Sequence, residues 1–132
     1  MTTSSPRITV IVNSYNSRPY IAEALDSVLA QTLAPFELLV MDDGSTDGTA
    51  DVVRAYGPRV QWHQQPRAGV AAARNNIVPR ARGDLIAFLD ADDFWTPTKL
   101  EIQAAAFRAS PTPDAVFGHV QQLISPDLDP AV

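Results

Sequence analysis

Cysteine is absent from the 132 residues, which removes disulfides, thiolate zinc sites, iron–sulfur clusters and cysteine nucleophiles at once. A reducing compartment is compatible with that absence. Long apolar runs are missing too. The most apolar stretches, Ile8 to Val12 and Leu85 to Leu89, are far shorter than the roughly 20 residues a membrane helix needs. Only Arg7 precedes the first of them, too little for the positive and hydrophobic regions of a secretory signal. A cytoplasmic chain, free or held peripherally at a membrane, is the expectation. Basic charge is scarce as well: 10 Lys and Arg against 15 Asp and Glu leave a net charge of -5. That balance disfavours a generic grip on nucleic-acid phosphate or anionic lipid. No nucleic-acid partner is expected, and any phosphate must be held locally.

What is present suits one globular core. The length is that of a single domain, and 45% hydrophobic with 19% charged residues argues against global disorder. Of the 15 acidic residues 12 are Asp, several of them gathered in two short segments. Ile8 to Val12 is a β-branched run that opens into Asn13, Ser14, Tyr15 and Asn16, a buried strand ending in a polar loop. Ser17 as cap, Pro19 in the first turn, and Ile21, Leu25, Val28 and Leu29 at helical spacing predict a helix to about Gln31. Phe36 to Met41 is a second strand, stopped by the turn formers Asp42 to Gly48. Thr49, Val52, Val53 and Tyr56 mark a second helix that Gly57 and Pro58 end.

Val60 to His63 reads as a weaker third strand, and Gly69 to Ala81 as an alanine-rich helix strained by Pro79. Leu85 to Leu89 lacks alternation, as a parallel strand buried on both faces does, and stops at Asp90, Ala91, Asp92, Asp93. Thr96 as N-cap and Pro97 at the first helical position start a fourth helix, and Ala115 to Val120 offers a fifth strand. Residues 1–123 form the expected domain and 124–132 an extended, proline-containing tail. The alternation implies an α/β fold, a three-layer α/β/α Rossmann-like arrangement around a mostly parallel sheet. Ligands in such folds bind beyond the strand C-termini.

Three polar clusters fall on that edge. Asp90 and Asp92 leave a strand together and offer hard oxygen ligands to a magnesium- or manganese-like ion. For an isolated Asp-x-Asp the plainer reading, turn hydrogen bonds and a cap for the following segment, is favoured. Asp43, Ser45, Asp47 and Gly48 fall on the first, third, fifth and sixth places of a calcium loop, but Arg54 occupies the place that needs a bidentate Glu, so an EF-hand is rejected. Tyr15 and Asn16 either meet a nucleobase or form an ordinary amphipathic rim. Among Arg67, Arg74, Arg80 and Arg82, Arg74 is the best candidate for a diphosphate contact. His63 and His119 lack ligand spacing and read as structural.

In order, the segments Ile8-Thr-Val-Ile-Val-Asn-Ser-Tyr-Asn16, Leu25-Asp-Ser-Val-Leu-Ala-Gln-Thr32, Phe36-Glu-Leu-Leu-Val-Met-Asp-Asp-Gly-Ser-Thr-Asp-Gly-Thr49, Gly69-Val-Ala-Ala-Ala-Arg-Asn75 and Gly83-Asp-Leu-Ile-Ala-Phe-Leu-Asp-Ala-Asp-Asp-Phe-Trp95 resemble family 2 glycosyltransferases of the GT-A type. The resemblance implies a domain that binds a nucleotide-diphosphate sugar with Mn or Mg and transfers the sugar with inversion to a saccharide or lipid-linked acceptor. It further implies that Tyr15 and Asp43 contact the nucleoside, with Asn13 and Asn16 in the same nucleotide-sugar set. Asp90 then lies beside the ribose and diphosphate, Asp90 and Asp92 hold the metal, and Arg74 and Asn75 line the donor pocket. Asn13 departs from the family, which usually has proline or a small hydroxyl residue there. So do Ile77, in place of a usual glycine, and Pro79. The catalytic base is expected downstream of Val132. In that case the chain is the donor-binding half, with bare apolar surface that favours self-association.

Three readings compete. A phosphohydrolase of the haloacid dehalogenase type would use Asp90 as nucleophile and Asp92 as acid, but it wants a small residue at Phe94 and a phosphate-holding Lys. The only lysine, Lys99, falls in the fourth helix, which also disfavours a receiver-type signalling domain. A non-catalytic nucleotide-binding or interaction module that keeps the donor fold is the strongest alternative.

Overall fold

A computed structural model describes residues 5–109 and 114–121. Its elements run β1 (Ile8–Ser14), α1 (Ile21–Leu29), β2 (Glu37–Asp42), α2 (Thr49–Arg54), β3 (Gln61–Gln64), α3 (Val70–Ile77), β4 (Leu85–Asp90) and α4 (Lys99–Ala109), with short 3-10 turns at Gly57–Arg59 and Val78–Arg80. The four strands lie in the order β3-β2-β1-β4 and every pairing is parallel. The chain steps outward from β1 through β2 to β3, then crosses back under α3 to place β4 on the other side of β1. This reversal makes β1 and β4 the topological switch, where open α/β sheets bind ligands.

Side-chain alternation divides the core. Val10, Val12, Leu38, Val40 and Leu89 face α1, α2 and α4, while Ile11, Leu39 and Met41 face Ala73 and Ile77 of α3. Helix α1 buries Ile21, Ala24, Leu25 and Val28, one stripe at the 3.6-residue period. Each large aliphatic side chain so buried contributes about 1.5–3 kcal/mol. The expected three layers are therefore present, with α3 as the second helical layer.

Several expectations need correction. The N-cap of α1 is Tyr20, with no side-chain cap bond, rather than Ser17: the Ser17 main-chain oxygen accepts from Tyr20 and Ile21, and its hydroxyl donates to the Tyr15 carbonyl instead of meeting the helix. Helix α4 starts at Lys99, so Pro97 lies ahead of it. Pro79 ends the third helix early and leaves a 3-10 turn, as a residue with no N–H to donate must. Strand β4 is not buried on both faces. Helix α3 packs over β1 and β2, leaving Ile86 38% and Phe88 42% exposed. Residues 115–120 form no strand. The tail expected at 124–132 lies outside the described residues.

The N-terminal edge of the sheet is fastened by a polar chain. Thr9 donates to Glu37 Oε1 at 2.7 Å, the same oxygen accepts the Arg82 N–H at 2.6 Å, and the Arg82 guanidinium reaches Oε2 at 3.2 Å. The Thr9 hydroxyl in turn accepts from the Gly83 N–H at 3.0 Å. Three segments distant in sequence are thus locked before β1 and β4 run in parallel to the opposite edge.

Candidate functional site

At the C-terminal edge, the tips of β1, β2 and β4 and the start of α3 enclose a cleft of about 410 Å³. Asn13, Tyr15, Asn16, Asp43, Arg67, Asp90 and Asp92 line it. Register explains the juxtaposition: Asn13 stands opposite Met41 of β2 and Asp90 of β4. Asn13 is only 9% exposed, yet neither its amide nitrogen nor its oxygen has a hydrogen-bond partner, and the Ser14 hydroxyl beside it is also unpartnered. Buried polar groups are nearly always satisfied in native proteins. A donor–acceptor pair left open at the wall of a cleft is what a ligand-binding residue presents. A second hollow of about 330 Å³, at the opposite edge between Phe36, Arg59 and Arg82, has no such atom.

The β2 tip is organised by its two carboxylates. Fully buried Asp42 accepts the Gly44 and Ser45 N–H groups at 3.1 and 2.7 Å, forming the turn. Asp43 reaches the other way. Its Oδ1 accepts from the Gln65 amide at 2.9 Å and the Ala68 N–H at 2.7 Å, and its Oδ2 from the Gly69 N–H at 3.0 Å. The Gln65 bond foremost, with the two N–H groups and the Arg67 charge, outweighs burial and holds the Asp43 carboxyl below the usual carboxylate range. Gln65 is itself held by the Asn76 amide. Asp43 thus ties the loop that leads into α3 to the sheet, and one of its four acceptor positions stays open.

Asn16 adopts a left-handed φ of 45°. Its N–H donates to Ser45 at 2.7 Å and its side-chain oxygen accepts the Thr46 N–H at 2.8 Å, so it braces the loop while lining the cleft. Tyr15 is 42% exposed and carries the Arg67 guanidinium 3.3 Å from its ring centre. Arg67 is the only cation lining the cleft among the described residues. Arg74 and Asn75 do not line it. Arg74 follows the sheet-facing Ala73 on α3 and leans over Phe88 of β4 at 4.7 Å.

The carboxylates of Asp90, Asp92 and Asp93 have oxygens within 4.8 Å of one another, and all three residues are exposed. Asp93 enlarges the pair expected from the sequence. Burial first, then the charges of Asp92 and Asp90, push the Asp93 carboxyl up. Three hard oxygen donors on one turn match the preference of Mg²⁺ or Mn²⁺. The turn is pinned by the Asp93 N–H on the Asp90 carbonyl, and Ala91 continues the ladder to Asn13.

The family model for glycosyl transferase family 2 matches residues 9–127. The chain belongs to that family. As a family 2 glycosyltransferase domain it is 42% identical over 107 residues to TuaG of Bacillus subtilis (strain 168), a glycosyltransferase whose name assigns it to teichuronic acid biosynthesis. The match takes in 78% of this chain and 42% of TuaG. It is 36% identical to the chondroitin synthase of Pasteurella multocida (strain Pm70), over 85% of this chain and 12% of that one. Among solved structures, S. aureus TarS 1-349 in complex with UDP superposes with a TM-score of 0.72 at 33% identity, covering 78% of this chain and 32% of that one. The mannosyltransferase PcManGT from Pyrobaculum calidifontis, in complex with GDP-Man and Mn²⁺, gives 0.73 at 35%, covering 83% and 34%. The chain therefore spans less than half the length of these relatives, and its fold is the GT-A fold expected from the ordered motifs. Among the described residues no helix is long and apolar enough to cross a membrane.

Proposed function

We propose that this domain binds a nucleoside-diphosphate sugar together with a divalent metal and serves an inverting glycosyl transfer. The observation that carries the reading is the unsatisfied, buried Asn13 amide in a cleft lined also by Asp90 and Asp92 of the three-carboxylate cluster. Mn²⁺ or Mg²⁺ held by Asp90 and Asp92, with Asp93 beside them, would neutralise charge on the departing diphosphate. The chain's own residues do the rest. Tyr15 offers a ring face for the base once Arg67 turns aside, and Asn13 offers a side-by-side donor and acceptor. Asp43 keeps the loop into α3 in place, and Arg67 brings a positive charge to an anionic ligand. Arg74, set over Phe88, and its neighbour Asn75 belong to the outer donor contacts. The acceptor is a saccharide or lipid-linked sugar, and the base that deprotonates it belongs to the acceptor-binding region rather than to this cleft. TarS with UDP and PcManGT with GDP-Man and Mn²⁺ support the class of donor.

Calorimetric titration with UDP, GDP, dTDP and CDP, with and without Mn²⁺, tests the proposal beside Asp92→Asn. One nucleotide should bind in a metal-dependent manner and be lost in the variant. A folded chain that binds none of the four overturns it, in favour of a non-catalytic module that keeps the fold.

A further inference from the structure

The segment from Leu25 to Thr32 is shared sequence pattern with no part in the cleft, yet its last turn holds the loop that follows the acidic cluster. Gln31 is 7% exposed. Its amide nitrogen donates to the Ser27 carbonyl at 3.0 Å and to the Thr96 carbonyl at 2.7 Å, while its oxygen accepts the Leu100 N–H at 3.0 Å. One side chain thereby satisfies a main-chain acceptor of the loop and an otherwise free N–H in the first turn of α4. The Ser27 hydroxyl accepts the Trp95 N–H at 3.1 Å, and the Thr32 N–H donates to the Pro97 carbonyl at 2.9 Å. Residues 94–98 have no helix or strand of their own. The acidic turn is fixed upstream by β4, and its downstream end is fixed by these bonds from Ser27 of α1 and from Gln31 and Thr32 just after it.

We infer that Gln31, with Ser27, is a positioning residue for the Asp90–Asp92–Asp93 cluster: it sets the path of residues 94–100 and so the mutual placement of the three carboxylates. The inference rests on the divalent-metal reading of that cluster. Removing a group hydrogen-bonded directly to a metal ligand typically weakens metal binding about 10–100-fold; Gln31 bonds the adjoining loop and no ligand, so the low end of that range is the expectation. Gln31 contributes no ligand atom, so its effect must travel through the loop.

The test is Mn²⁺ affinity measured by the loss of the free-ion EPR signal, on wild type, Gln31→Met and Val53→Ala. Gln31→Met keeps the volume and loses the three hydrogen bonds. Val53→Ala removes buried volume from α2, which makes no hydrogen bond to residues 94–100 among the described residues, and controls for a general loss of stability. The expected result is a dissociation constant raised about tenfold or more in Gln31→Met and within about twofold of wild type in Val53→Ala, with faster amide exchange at Trp95 and Leu100 in Gln31→Met alone. Ser27→Ala, which removes only the acceptor for Trp95, should weaken binding less and serves if Gln31→Met does not fold. Wild type that binds no Mn²⁺ overturns the metal reading and the inference together. Wild-type binding that folded Gln31→Met or Ser27→Ala reproduces, or that Val53→Ala weakens equally, overturns the positioning role alone.

Discussion

Replacing Gly83 by alanine tests the account of how β4 is joined to β1. A Cβ at residue 83 would lie 2.7 Å from the Arg7 carbonyl oxygen, from the Thr9 nitrogen and from the Thr9 hydroxyl. Two of these are main-chain atoms inside the ladder, so they cannot swing aside. Reaching ordinary contact near 3.5 Å needs a retreat of about 0.8 Å, which breaks the 3.0 Å bond from the Gly83 N–H to Thr9. It also strains the two bonds from Asp84 and Leu85 to the Arg7 carbonyl. Overpacking of this kind costs about 1–3 kcal/mol and the lost hydrogen bond about 1 kcal/mol more. For a domain of this size the total of about 2–4 kcal/mol lowers the melting temperature by about 6–20 °C. Gly57 is the control, because its φ of 63° disfavours a side chain but nothing lies within 4 Å, leaving only the left-handed penalty of about 1–2 kcal/mol. Urea unfolding followed by circular dichroism measures both variants. Since Gly83 lies about 20 Å of strand away from the cleft, nucleotide affinity of the folded variant should be unchanged. A Gly83→Ala protein as stable as wild type, or more stable than Gly57→Ala, refutes the reasoning.

Two further predictions concern charge and apolar surface. Burial acts against the Glu37 charge, but the Arg82 N–H, the Thr9 hydroxyl and the Arg82 guanidinium together hold its carboxyl below the ordinary value. Its stabilisation is therefore complete above the ordinary glutamate range and is lost as pH falls through the lower folded value. Glu37→Gln should cost about 1–3 kcal/mol at neutral pH and progressively less in acid, and urea unfolding that shows the gap widening on acidification contradicts this. The open face of Ile86 and Phe88 on β4 should support concentration-dependent association that Ile86→Lys abolishes in sedimentation velocity, and a wild-type chain that stays monomeric at every concentration rules it out.

The fold was legible because local and long-range signals agreed along β1, α1 and β2, where β-branched runs, one apolar helical stripe and abrupt turn chemistry coincide. The run Leu85 to Leu89 was misread in one respect. Continuous apolarity says that a strand is compatible with burial on two faces, but not whether a helix reaches it, and α3 lies over β1 and β2 instead. The cap of α1 differs from the one the sequence suggests, since its N-cap is Tyr20 and the Ser17 hydroxyl turns to the Tyr15 carbonyl. At the cleft, Asn13, Tyr15, Asp43, Asp90 and Asp92 came together as strand-tip residues must. Arg67 lines the cleft in the place expected of Arg74 because it sits on the loop before α3, whereas Arg74 follows the sheet-facing Ala73 and leans over Phe88. The roles of Gln65 and Gln31 left no trace in spacing, since each acts through single hydrogen bonds to segments far away in sequence.

The contrast between the two edges of the sheet is itself an argument for where ligands bind. At the N-terminal edge Thr9, Glu37, Arg82 and Gly83 satisfy one another, and a buried network fully satisfied in this way stiffens a structure. At the C-terminal edge Asn13 and Ser14 leave three buried polar atoms unpartnered, each worth about 1–3 kcal/mol of lost stability while nothing pairs with it. A sequence selected for stability alone would place apolar side chains at those two positions, as it does at Val12 and Val10, two and four residues before Ser14 on its face, and at Ile11, two before Asn13 on the other. Asn13 in particular stands between Met41 and Asp90, where an aliphatic side chain would extend the core under α3 without strain. Polar atoms kept there at a cost are accounted for when a bound molecule supplies the missing partners, so the cleft's stability penalty and its proposed binding function have the same physical source.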